Sequence, residues 1–316
     1  MRIMVTGANG FVGQHIVSGL SLNHRVLALT RDLGHSFPSG VEIRRSPDLS
    51  SDSYWGDMLN DVEVVVHCAA RVHVMRDRSL DPLEEYREVN LRGTKSLAQA
   101  SADRGVRRFV FLSSIKVHGE KTSDVALTAA DTPNPVDPYG ISKLEAEQAL
   151  TEISHQTGME TIIIRPTVIY GSGVKGNIRR MLSLIDTGLP LPFRGLDNRR
   201  SMLSAANLVE WVRSAVEGSV VPTTPLLAAD TTPISTTKLV EKLASGMGRP
   251  SLQFVVPTAI LRGVAAAIGQ RAAIERLVEN FEVQPTVEAF PGIAARLEPS
   301  ETALEAVGRA WRASRR

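Results

Sequence analysis

Short apolar, β-branched runs alternate along the first half of the chain with longer segments whose apolar positions recur at helical spacing. The apolar runs predict strands at Arg2–Thr6, Arg25–Thr30, Val41–Arg45, Val62–Cys68, Arg108–Ser113 and Thr161–Arg165. The helical spacing predicts helices at Phe11–Leu22, Leu83–Arg104 and Pro138–His155. Because runs such as Val64-Val65-Val66 have no polar face, these strands are typical of a parallel sheet that is covered on both sides. The pattern therefore predicts an α/β fold with a doubly wound parallel sheet.

The regular alternation ends after about Thr167, where glycine and proline punctuate the chain. We expect residues 1–168 to form the sheet domain, with 202–225 packing back onto it. Residues 169–201 and 226–316 then form a smaller C-terminal region that covers the open edge of the sheet. Ligands of open α/β sheets bind in the crevice at the carboxyl ends of the strands, so we expect the functional site between the two regions.

The composition narrows the class of protein. Of 316 residues, 43% are hydrophobic and 22% are charged, which is enough apolar material for the core of a soluble globular protein. The formal net charge of +2 gives no reason to expect nucleic acid or an anionic membrane as a partner. The single cysteine, Cys68, excludes an internal disulfide and a cysteine-based metal cluster, and we expect no metal site. Since Met1–Thr6 reads as a strand and not as a secretory signal, we expect a cytoplasmic protein.

Three glycines lie between the first strand and the first helix with the spacing G-x-x-G-x-x-G. Such a turn lets the backbone approach a pyrophosphate, whose charge is stabilised by N–H groups and by the positive end of the helix. An ordinary tight turn between a strand and a helix is the alternative. The position of the loop favours a Rossmann-like dinucleotide-binding domain. Its predicted cofactor contacts are Gly7, Asn9, Gly10, Phe11, Val12 and Gly13.

The second strand ends in Thr30-Arg31, at the position where an acidic residue would bind the adenosine ribose hydroxyls. No carboxylate is expected there to repel a 2′-phosphate, and the Arg31 guanidinium is able to pair with one. We therefore expect NADP(H) to be preferred over NAD(H), unless Arg31 is only a solvated loop residue. Asp48-Leu49, after the third strand, is placed to cap the adenine, and a plain surface turn is the alternative for Asp48.

Candidate catalytic residues follow the fifth strand and open the next helix. Asp137 can cap this helix with Pro138 in its first turn, which places Tyr139 and Lys143 on one face. A lysine there can hold the cofactor ribose while its charge lowers the pKa of the phenol, as proton transfer near neutral pH requires. The hydroxyl of Ser114 can hydrogen-bond the substrate oxygen that becomes a carbonyl or an alcohol. Ser114, Tyr139 and Lys143 are the predicted catalytic residues, although a tyrosine and a lysine at this spacing are also common on helix surfaces.

Together these motifs resemble the extended short-chain dehydrogenases/reductases, which include UDP-galactose 4-epimerases and nucleotide-sugar ketoreductases. The resemblance covers nearly the whole chain and rests on the glycine loop and on Asp48-Leu49, His67-Cys68-Ala69-Ala70, Asn90, Ser114, Tyr139, Lys143 and Arg165-Pro166. It implies cofactor contacts, mostly around the nicotinamide and its ribose, from Ala69, Ala70, Asn90, Tyr139, Lys143, Pro166 and Val168. The match of Val117-His118-Gly119 to the family's Val-Tyr-Gly makes Ser114, and not Ser113, the catalytic hydroxyl.

The resemblance also implies substrate contacts. The segments around Asn177 and Arg200 are similar to the family's clamps for a nucleotide-diphosphate sugar, where an amide and an arginine bind the diphosphate or the base. The segments 71–75 and 114–117 resemble sugar-facing loops of bacterial enzymes that make UDP-N-acetyl-6-deoxyhexoses. The predicted substrate contacts are Val72, His73, Ser114, Lys116, Tyr139, Asn177 and Arg200. For the arginine a solvated basic loop is the alternative, and for His73 a buried structural histidine.

Three functions are compatible with these residues. The leading hypothesis is an NADPH-dependent reductase of the C4 keto group of a UDP-4-keto-6-deoxy-hexosamine, with Tyr139 as the proton donor. Its alternative is an NAD(P)-dependent 4-epimerase of a UDP-hexose or UDP-N-acetylhexosamine, which uses the same residues reversibly. A non-catalytic dinucleotide sensor is the third, and the intact Ser114, Tyr139 and Lys143 argue against it. The resemblance further implies a homodimer that packs the helices Leu83–Arg104 and Pro138–His155 of both copies as a four-helix bundle.

Overall fold

A computed structural model defines the fold and describes residues 1–50, 53–72, 81–122, 125–267 and 269–315. The strands of this part of the chain are β1 (Arg2–Thr6), β2 (Arg25–Thr30), β3 (Glu42–Arg45), β4 (Val64–His67), β5 (Arg108–Leu112), β6 (Glu160–Pro166), β7 (Val168–Tyr170), β8 (Leu191–Arg194), β9 (Met202–Ser204), β10 (Leu226–Ala228) and β11 (Gln253–Val255). The helices are α1 (Phe11–Leu20), α2 (Pro82–Arg87), α3 (Gly93–Asp103), α4 (Pro138–Thr157), α5 (Gly176–Asp186), α6 (Ala205–Glu217), α7 (Thr236–Met247), α8 (Thr258–Ala267), α9 (Arg271–Val278) and α10 (Ser300–Ala313). A π-helical turn, Glu88–Arg92, joins α2 to α3, and a 3₁₀ turn, Ile115–His118, follows β5.

The main sheet has seven parallel strands in the order β10-β6-β5-β4-β1-β2-β3. The chain moves outward from β1 in one direction through β2 and β3, and then returns to build the other half from β4 onward. The strand order therefore reverses beside β1, where a crevice opens at the carboxyl ends of β1 and β4. This topology confirms the predicted α/β fold class with its doubly wound parallel sheet.

The predicted elements agree with the structure except in one helix. Strands β1 and β2 have the predicted bounds, and β3 to β6 differ from the prediction by one or two residues at their ends. The predicted helix Leu83–Arg104 is instead divided into α2, the π-helical turn and α3. A π-helical turn inserts one extra residue into a helix, and here it turns the side chain of Asn90 into the protein, where it is buried.

Successive side chains of each strand point to opposite faces of the sheet, and each face is covered by different helices. Ile3 and Val5 face a core formed with α1 and α6, which includes the fully buried Trp211. Met4 faces a second core with α3 and α4, which includes Leu97 and Leu150. Burial on both faces explains why central runs such as Val64-Val65-Val66 of β4 have no polar position.

The C-terminal region builds a third core from α5, α7 and α10 around the two-stranded pairs β7–β9 and β8–β11. It is not separate from the main sheet, because β10 pairs with β6 as the edge strand and Phe290 and Ile293 pack into the core of α1 and α6. The predicted division of the chain stays a prediction, but residues 226–228 belong to the main sheet. Among the described residues, no helix has the combined length and apolarity that a membrane span requires.

Arg108 ties α6 to the main sheet. It begins β5 with a side chain that is 1% exposed, and its Nη1 donates hydrogen bonds to the carbonyl oxygens of Ala215 at 2.6 Å and Gly218 at 2.7 Å. Its Nε donates to Glu160 at 2.7 Å. The last carbonyls of a helix have no partner within the helix and carry partial negative charge, so a buried guanidinium stabilises this end of α6.

We expect Arg108→Met to lower the free energy of unfolding by about 2–4 kcal/mol, because it leaves buried carbonyls and Glu160 without their donor. Arg107→Met is the matched control, since Arg107 pairs with the same Glu160 at 2.9 Å but its side chain is 43% exposed. We expect this control to lose less than about 1 kcal/mol. Urea unfolding followed by circular dichroism measures both values, and equal losses would contradict the proposed role of the buried arginine.

Candidate active site

The glycine loop brings the first helix against the end of the first strand. Gly7 has a φ of 64°, and a Cβ added there would lie 2.8 Å from the backbone nitrogen of Ala69. A Cβ added at Gly13 would overlap the carbonyl oxygen of Gly7. Gly10 caps α1 without a side-chain hydrogen bond, so the first N–H groups of the helix have no side-chain acceptor at the cap. The cradle therefore fits a pyrophosphate of a dinucleotide.

The other predicted residues of this loop lie at the border between the two regions of the chain. Asn9, Phe11 and Val12 are each partly buried. The carbonyl of Asn9 accepts a hydrogen bond from Gln14 at 2.8 Å, and Phe11 packs against the C-terminal core. The start of α1 thus contacts both the sheet and the C-terminal region.

A buried histidine fixes the strand end beside the glycine loop. Nδ1 of His67 lies 2.7 Å from Oγ1 of Thr6, and its Nε2 lies 3.0 Å from Oγ1 of Thr94. Oγ1 of Thr6 also accepts the N–H of Ala69 at 3.2 Å. Burial and the nearby Lys143 lower the pKa of His67 to about 3, so the ring is neutral. The cluster links β1, β4 and α3 and holds Ala69, and with it Ala70, at the edge of the crevice.

The end of β2 differs from the expectation drawn from the sequence. Arg31 is exposed as expected, but a carboxylate is present at the next position, Asp32. The Asp32 side chain accepts the N–H of Gly34 at 3.0 Å, and its own N–H donates to Oγ1 of Thr30 at 3.1 Å. The expectation that no carboxylate is available here is therefore wrong, because Asp32 lies two residues beyond the end of β2 and is held in its own turn.

The predicted adenine cap, Asp48-Leu49, packs against the start of α3 and stays a prediction. Leu49 lies against the first residue of α3, where a Cβ added to Gly93 would be 2.9 Å from the Leu49 Cβ. Asp48 is exposed, and its backbone carbonyl accepts a hydrogen bond from Ser53. Of the predicted pair, Leu49 is the residue that the structure fixes in place.

Ser114 and Tyr139 meet at the carboxyl end of β5. Their side chains are hydrogen-bonded to each other, and Oγ of Ser114 also accepts the N–H of Lys116 at 3.2 Å. The neighbouring Ser113 points elsewhere and donates a hydrogen bond to the buried Glu147. The structure thus places Ser114, and not Ser113, against the tyrosine.

Lys143 lies one helical turn after Tyr139 on α4 and is buried. Its Nζ is 3.9 Å from the centroid of the Phe111 ring, and Cys68, next to Ala69, is close enough to influence its pKa. The glycine loop, the end of β4 and the start of α4 therefore meet in one crevice.

Burial has the largest effect on the pKa values of Tyr139 and Lys143. It raises the pKa of Tyr139 to about 12, against a smaller lowering effect of the hydrogen bond from Ser114. It lowers the pKa of Lys143 to about 7, against the opposing charge of Glu147. The prediction that Lys143 lowers the pKa of the phenol is thus wrong for the ligand-free site, because burial raises this pKa and Lys143 is not among the groups that shift it.

Asn90 is hydrogen-bonded within the protein. Its side chain is 1% exposed, with Oδ1 accepting the N–H of Arg71 at 2.8 Å. Its Nδ2 donates to the carbonyl of Arg71 at 3.1 Å and to Oγ of Ser142 at 3.0 Å. Asn90 therefore positions the loop after β4 against α4, and its predicted cofactor contact stays a prediction.

Lys116 also has a structural role that the sequence did not indicate. Its Nζ pairs with Asp137 and, at 2.8 Å, with Glu120. Oδ1 of Asp137 accepts the N–H of Gly140 at 2.7 Å and so caps α4. The lysine thus holds the first turn of the helix that carries Tyr139, and its predicted substrate contact stays a prediction.

The remaining predicted contacts lie around the mouth of the crevice. Pro166 is buried at the end of β6, whereas Val168 in β7 and Val72 after β4 are about half exposed. Asn177 is exposed in the first turn of α5, and His73 lies outside the described residues. The structure brings Val72 close to Asn90 through Arg71, but it does not bring Asn177 into contact with the catalytic residues.

Of the two adjacent arginines Arg199 and Arg200, Arg200 is the more buried. Its Nη1 donates to the carbonyl of Glu279 at 3.2 Å, and burial lowers its pKa, with a further contribution from Arg276. Arg199 is exposed and pairs with Glu282 at 2.5 Å. Arg276 pairs with Glu120 at 3.7 Å, so the C-terminal region meets the catalytic segment at this point.

Several residues of the site were missed in the sequence. Glu147 follows Lys143 by four positions, and this spacing alone would have indicated that both lie on the same face of α4. Asp32 was visible in the sequence but one position beyond the expected one. The pair Glu120–Arg276 and the cluster around His67 join distant segments and left no local signal.

The model of the NAD dependent epimerase/dehydratase family matches residues 3–222. A UDP-glucose 4-epimerase of Vibrio cholerae is 37% identical over 290 residues, which are 89% of this chain and 86% of that protein. The chain belongs to the NAD-dependent epimerase/dehydratase family. This confirms the resemblance to the extended short-chain dehydrogenases/reductases and identifies the chain as an enzyme of this family.

Other members of the NAD-dependent epimerase/dehydratase family are more distant. An N-acetyl-α-D-glucosaminyl-diphospho-ditrans,octacis-undecaprenol 4-epimerase of Escherichia coli O157:H7 is 27% identical over 83% of this chain and 78% of that protein. The crystal structure of a UDP-glucuronic acid 4-epimerase from Bacillus cereus in complex with NAD has a TM-score of 0.76 at 18% identity, covering 98% of this chain and 99% of that one. At this identity the structural match concerns the fold.

We expect Asp137→Ala to lower the free energy of unfolding by about 1 kcal/mol, because it removes the N-cap of α4. Asp137→Asn is the matched variant, since an asparagine caps a helix equally well but cannot form an ion pair with Lys116. The difference between the two variants in thermal unfolding isolates the cap from the ion pair. Wild-type stability of Asp137→Ala would contradict this account of the helix start.

Proposed function

We propose that this enzyme is an NAD(P)-dependent 4-epimerase of a UDP-hexose or UDP-N-acetylhexosamine. The observation that carries the proposal is the hydrogen-bonded pair Ser114–Tyr139, one helical turn from Lys143 and in the same crevice as the glycine loop. The 37% identity with the UDP-glucose 4-epimerase of Vibrio cholerae over most of both chains supports the same function. This choice gives the epimerase preference over the reductase, which was the leading hypothesis from the sequence.

In this proposal the nicotinamide, when bound, supplies the acceptor and donor of the C4 hydride. In this proposal Tyr139 is ionised once the cofactor is bound. It then accepts the proton of the C4 hydroxyl as the ketone forms and returns it when the alcohol forms again, so no net proton or electron is consumed. Ser114 hydrogen-bonds the same oxygen throughout. Lys143 binds the cofactor ribose, and Gly7 to Gly13 bind the pyrophosphate.

The substrate contacts in this proposal come from the mouth of the crevice. A partly buried guanidinium such as Arg200 is suited to the diphosphate, and the amide of Asn177 and the side chain of Val72 would contact the rest of the substrate. His73 remains a proposed contact on the resemblance alone. Lys116 is left out, because its ammonium pairs with Asp137 and Glu120.

Arg31 favours a second candidate, the NADPH-dependent reductase of a UDP-4-keto-6-deoxy-hexosamine. Its guanidinium is exposed at the end of β2, where it could pair with a 2′-phosphate, while the Asp32 carboxylate is held by Gly34. We therefore propose a preference for NADP(H), with NAD(H) also accepted. A reductase uses an exchangeable cofactor, whereas an epimerase must retain it through both hydride transfers.

We also propose a homodimer in the cytoplasm. The proposed interface is the four-helix bundle of α2–α3 and α4 from both copies, on the family resemblance. The described residues of these helices carry no large hydrophobic side chain that is fully exposed, so the interface would combine half-buried apolar and charged side chains. Light scattering at micromolar concentration should give twice the monomer mass of 34.3 kDa, and a monomer would refute the proposal.

The test of function is turnover of UDP-glucose, UDP-galactose and their N-acetylamino analogues, followed by NMR of the products. We expect Tyr139→Phe to reduce turnover roughly 10²–10⁴-fold, because the ring still packs but has no transferable proton. Cofactor binding, followed by fluorescence, should be retained. Oxidation of NADPH with a UDP-4-keto-6-deoxy sugar, without epimerisation of any of the four sugars, would favour the reductase instead.

We expect Arg31→Ala to weaken NADP(H) binding by about 1–3 kcal/mol, through loss of a charge-assisted phosphate contact. The same change should leave NAD(H) binding nearly unaffected, which makes NAD(H) the internal control. Isothermal titration with the four cofactor forms gives the values. If wild-type enzyme binds NAD(H) and NADP(H) equally, the proposed preference is wrong.

A further inference from the structure

A fully buried ion pair lies beneath the catalytic side chains, between α4 and the end of β6. The side chains of Glu147 and Arg165 are 4% and 5% exposed. Nε of Arg165 donates to both carboxylate oxygens at 3.1 and 3.2 Å, and its Nη2 donates to one of them at 2.5 Å. Ser113 donates a further hydrogen bond to the same carboxylate. Glu147 is therefore held rigidly, with several donors directed at its two oxygens.

The third guanidinium nitrogen of Arg165 is also hydrogen-bonded. Its Nη1 donates to Nε2 of His118 at 2.7 Å. Burial and the charge of Arg165 lower the pKa of His118 to about 4, so the ring is neutral and adds no charge to the cluster. The cluster consequently contains one anion, Glu147, and one cation, Arg165, both removed from water. A buried carboxylate costs free energy unless it is paired in this way.

Lys143 adds a second cation to this buried environment. Glu147 follows it by one helical turn of α4 and is the leading influence that opposes the desolvation of its ammonium. From β4, His67 is neutral and burial raises the pKa of the Cys68 thiol to about 12, so it is protonated. Phe111 of β5 contacts the Lys143 ammonium through the face of its ring and carries no charge. Among the described groups that oppose the desolvation of Lys143, Glu147 therefore has the largest effect and Cys68 a smaller one.

We propose that Glu147, held by Arg165 and Ser113, is a positioning residue that keeps the Lys143 ammonium charged in the buried site. The proposed chemistry needs a positively charged lysine, but burial in this site disfavours the charged form. A fixed carboxylate nearby favours the charged form again. The role in turnover rests on the proposed function of the site. The effect on the charge of Lys143 does not depend on the substrate.

Two variants test the proposal in the full-length protein. Glu147→Gln keeps the shape of the side chain and removes its charge, but it leaves Arg165 as a buried cation without a counter-ion. The double variant Glu147→Gln with Arg165→Gln removes both charges, so it remains informative if the single variant fails to fold. Asp230→Asn is the matched control, because Asp230 is another buried carboxylate, accepting hydrogen bonds from Tyr170 at 2.6 Å and Asn207 at 2.7 Å.

The first readout is the pH dependence of acylation of Lys143 by acetic anhydride in the folded, ligand-free protein, measured by mass spectrometry. Removal of a nearby negative charge disfavours the ammonium, so the pKa of Lys143 should fall by about one unit in Glu147→Gln. It should fall by less in the double variant, because loss of the Arg165 cation offsets part of the effect. The amine then becomes reactive at lower pH than in the wild type. It should not shift in Asp230→Asn. An unchanged titration of Lys143 in the folded double variant would overturn the proposal.

The second readout is the pH profile of turnover with the sugar that the wild type converts. At neutral pH we expect Glu147→Gln to lower kcat about tenfold or more, with partial recovery at lower pH and little change in KM. A uniform loss at all pH values with an unshifted Lys143 would mean that Glu147 only stabilises the fold. If no sugar is converted by the wild type, the proposed function fails, and the acylation experiment still decides the role of Glu147.

Discussion

All seven strands of the main sheet run parallel, and this single constraint determines where the chemistry is located. Parallel strands place their carboxyl ends on one edge, so the segments that follow β1, β2, β4, β5 and β6 leave the sheet side by side. Gly7, Arg31, Ala69, Ser114 and Pro166 are far apart in the sequence but lie along that edge. Helix α4 then only has to begin at the same edge for Tyr139 to meet Ser114.

Bringing these groups together in a dry crevice has an electrostatic cost that the surrounding residues offset. Desolvation moves the pKa of Tyr139 up and that of Lys143 down, in both cases toward the neutral form. The nearby histidine, His67, is neutral and links strands by hydrogen bonds. Fixed negative charge is supplied at two depths: Asp137 caps the helix at the surface of the site, and Glu147 lies buried below it. The charges of the site are thus set mainly by residues that need not touch a substrate.

The sequence predicted those features of the fold that depend on local patterns of residues. Strands β1 and β2, the start of α4 at Pro138 and the glycine loop all follow from periodicity, capping residues and spacing within a few positions. The sequence did not indicate which distant side chain each polar group would bond. Lys116 is 21 positions from Asp137, and Asn90 is 52 positions from Ser142, so the choice of partner depends on the assembled fold. For both residues the sequence suggested a ligand contact and gave no sign of these partners within the protein.

The same reasoning explains why the catalytic residues do not by themselves distinguish an epimerase from a reductase. In the proposed mechanism Ser114, Tyr139 and Lys143 catalyse a reversible transfer, so the difference lies in whether the cofactor is retained between turnovers. Retention depends on binding free energy contributed by other residues. The end of β2, where the exposed Arg31 and Asp32 are adjacent, is where we propose such contacts. The proposed choice between epimerase and reductase therefore depends on residues at the rim of the site, where local sequence patterns carry the least information.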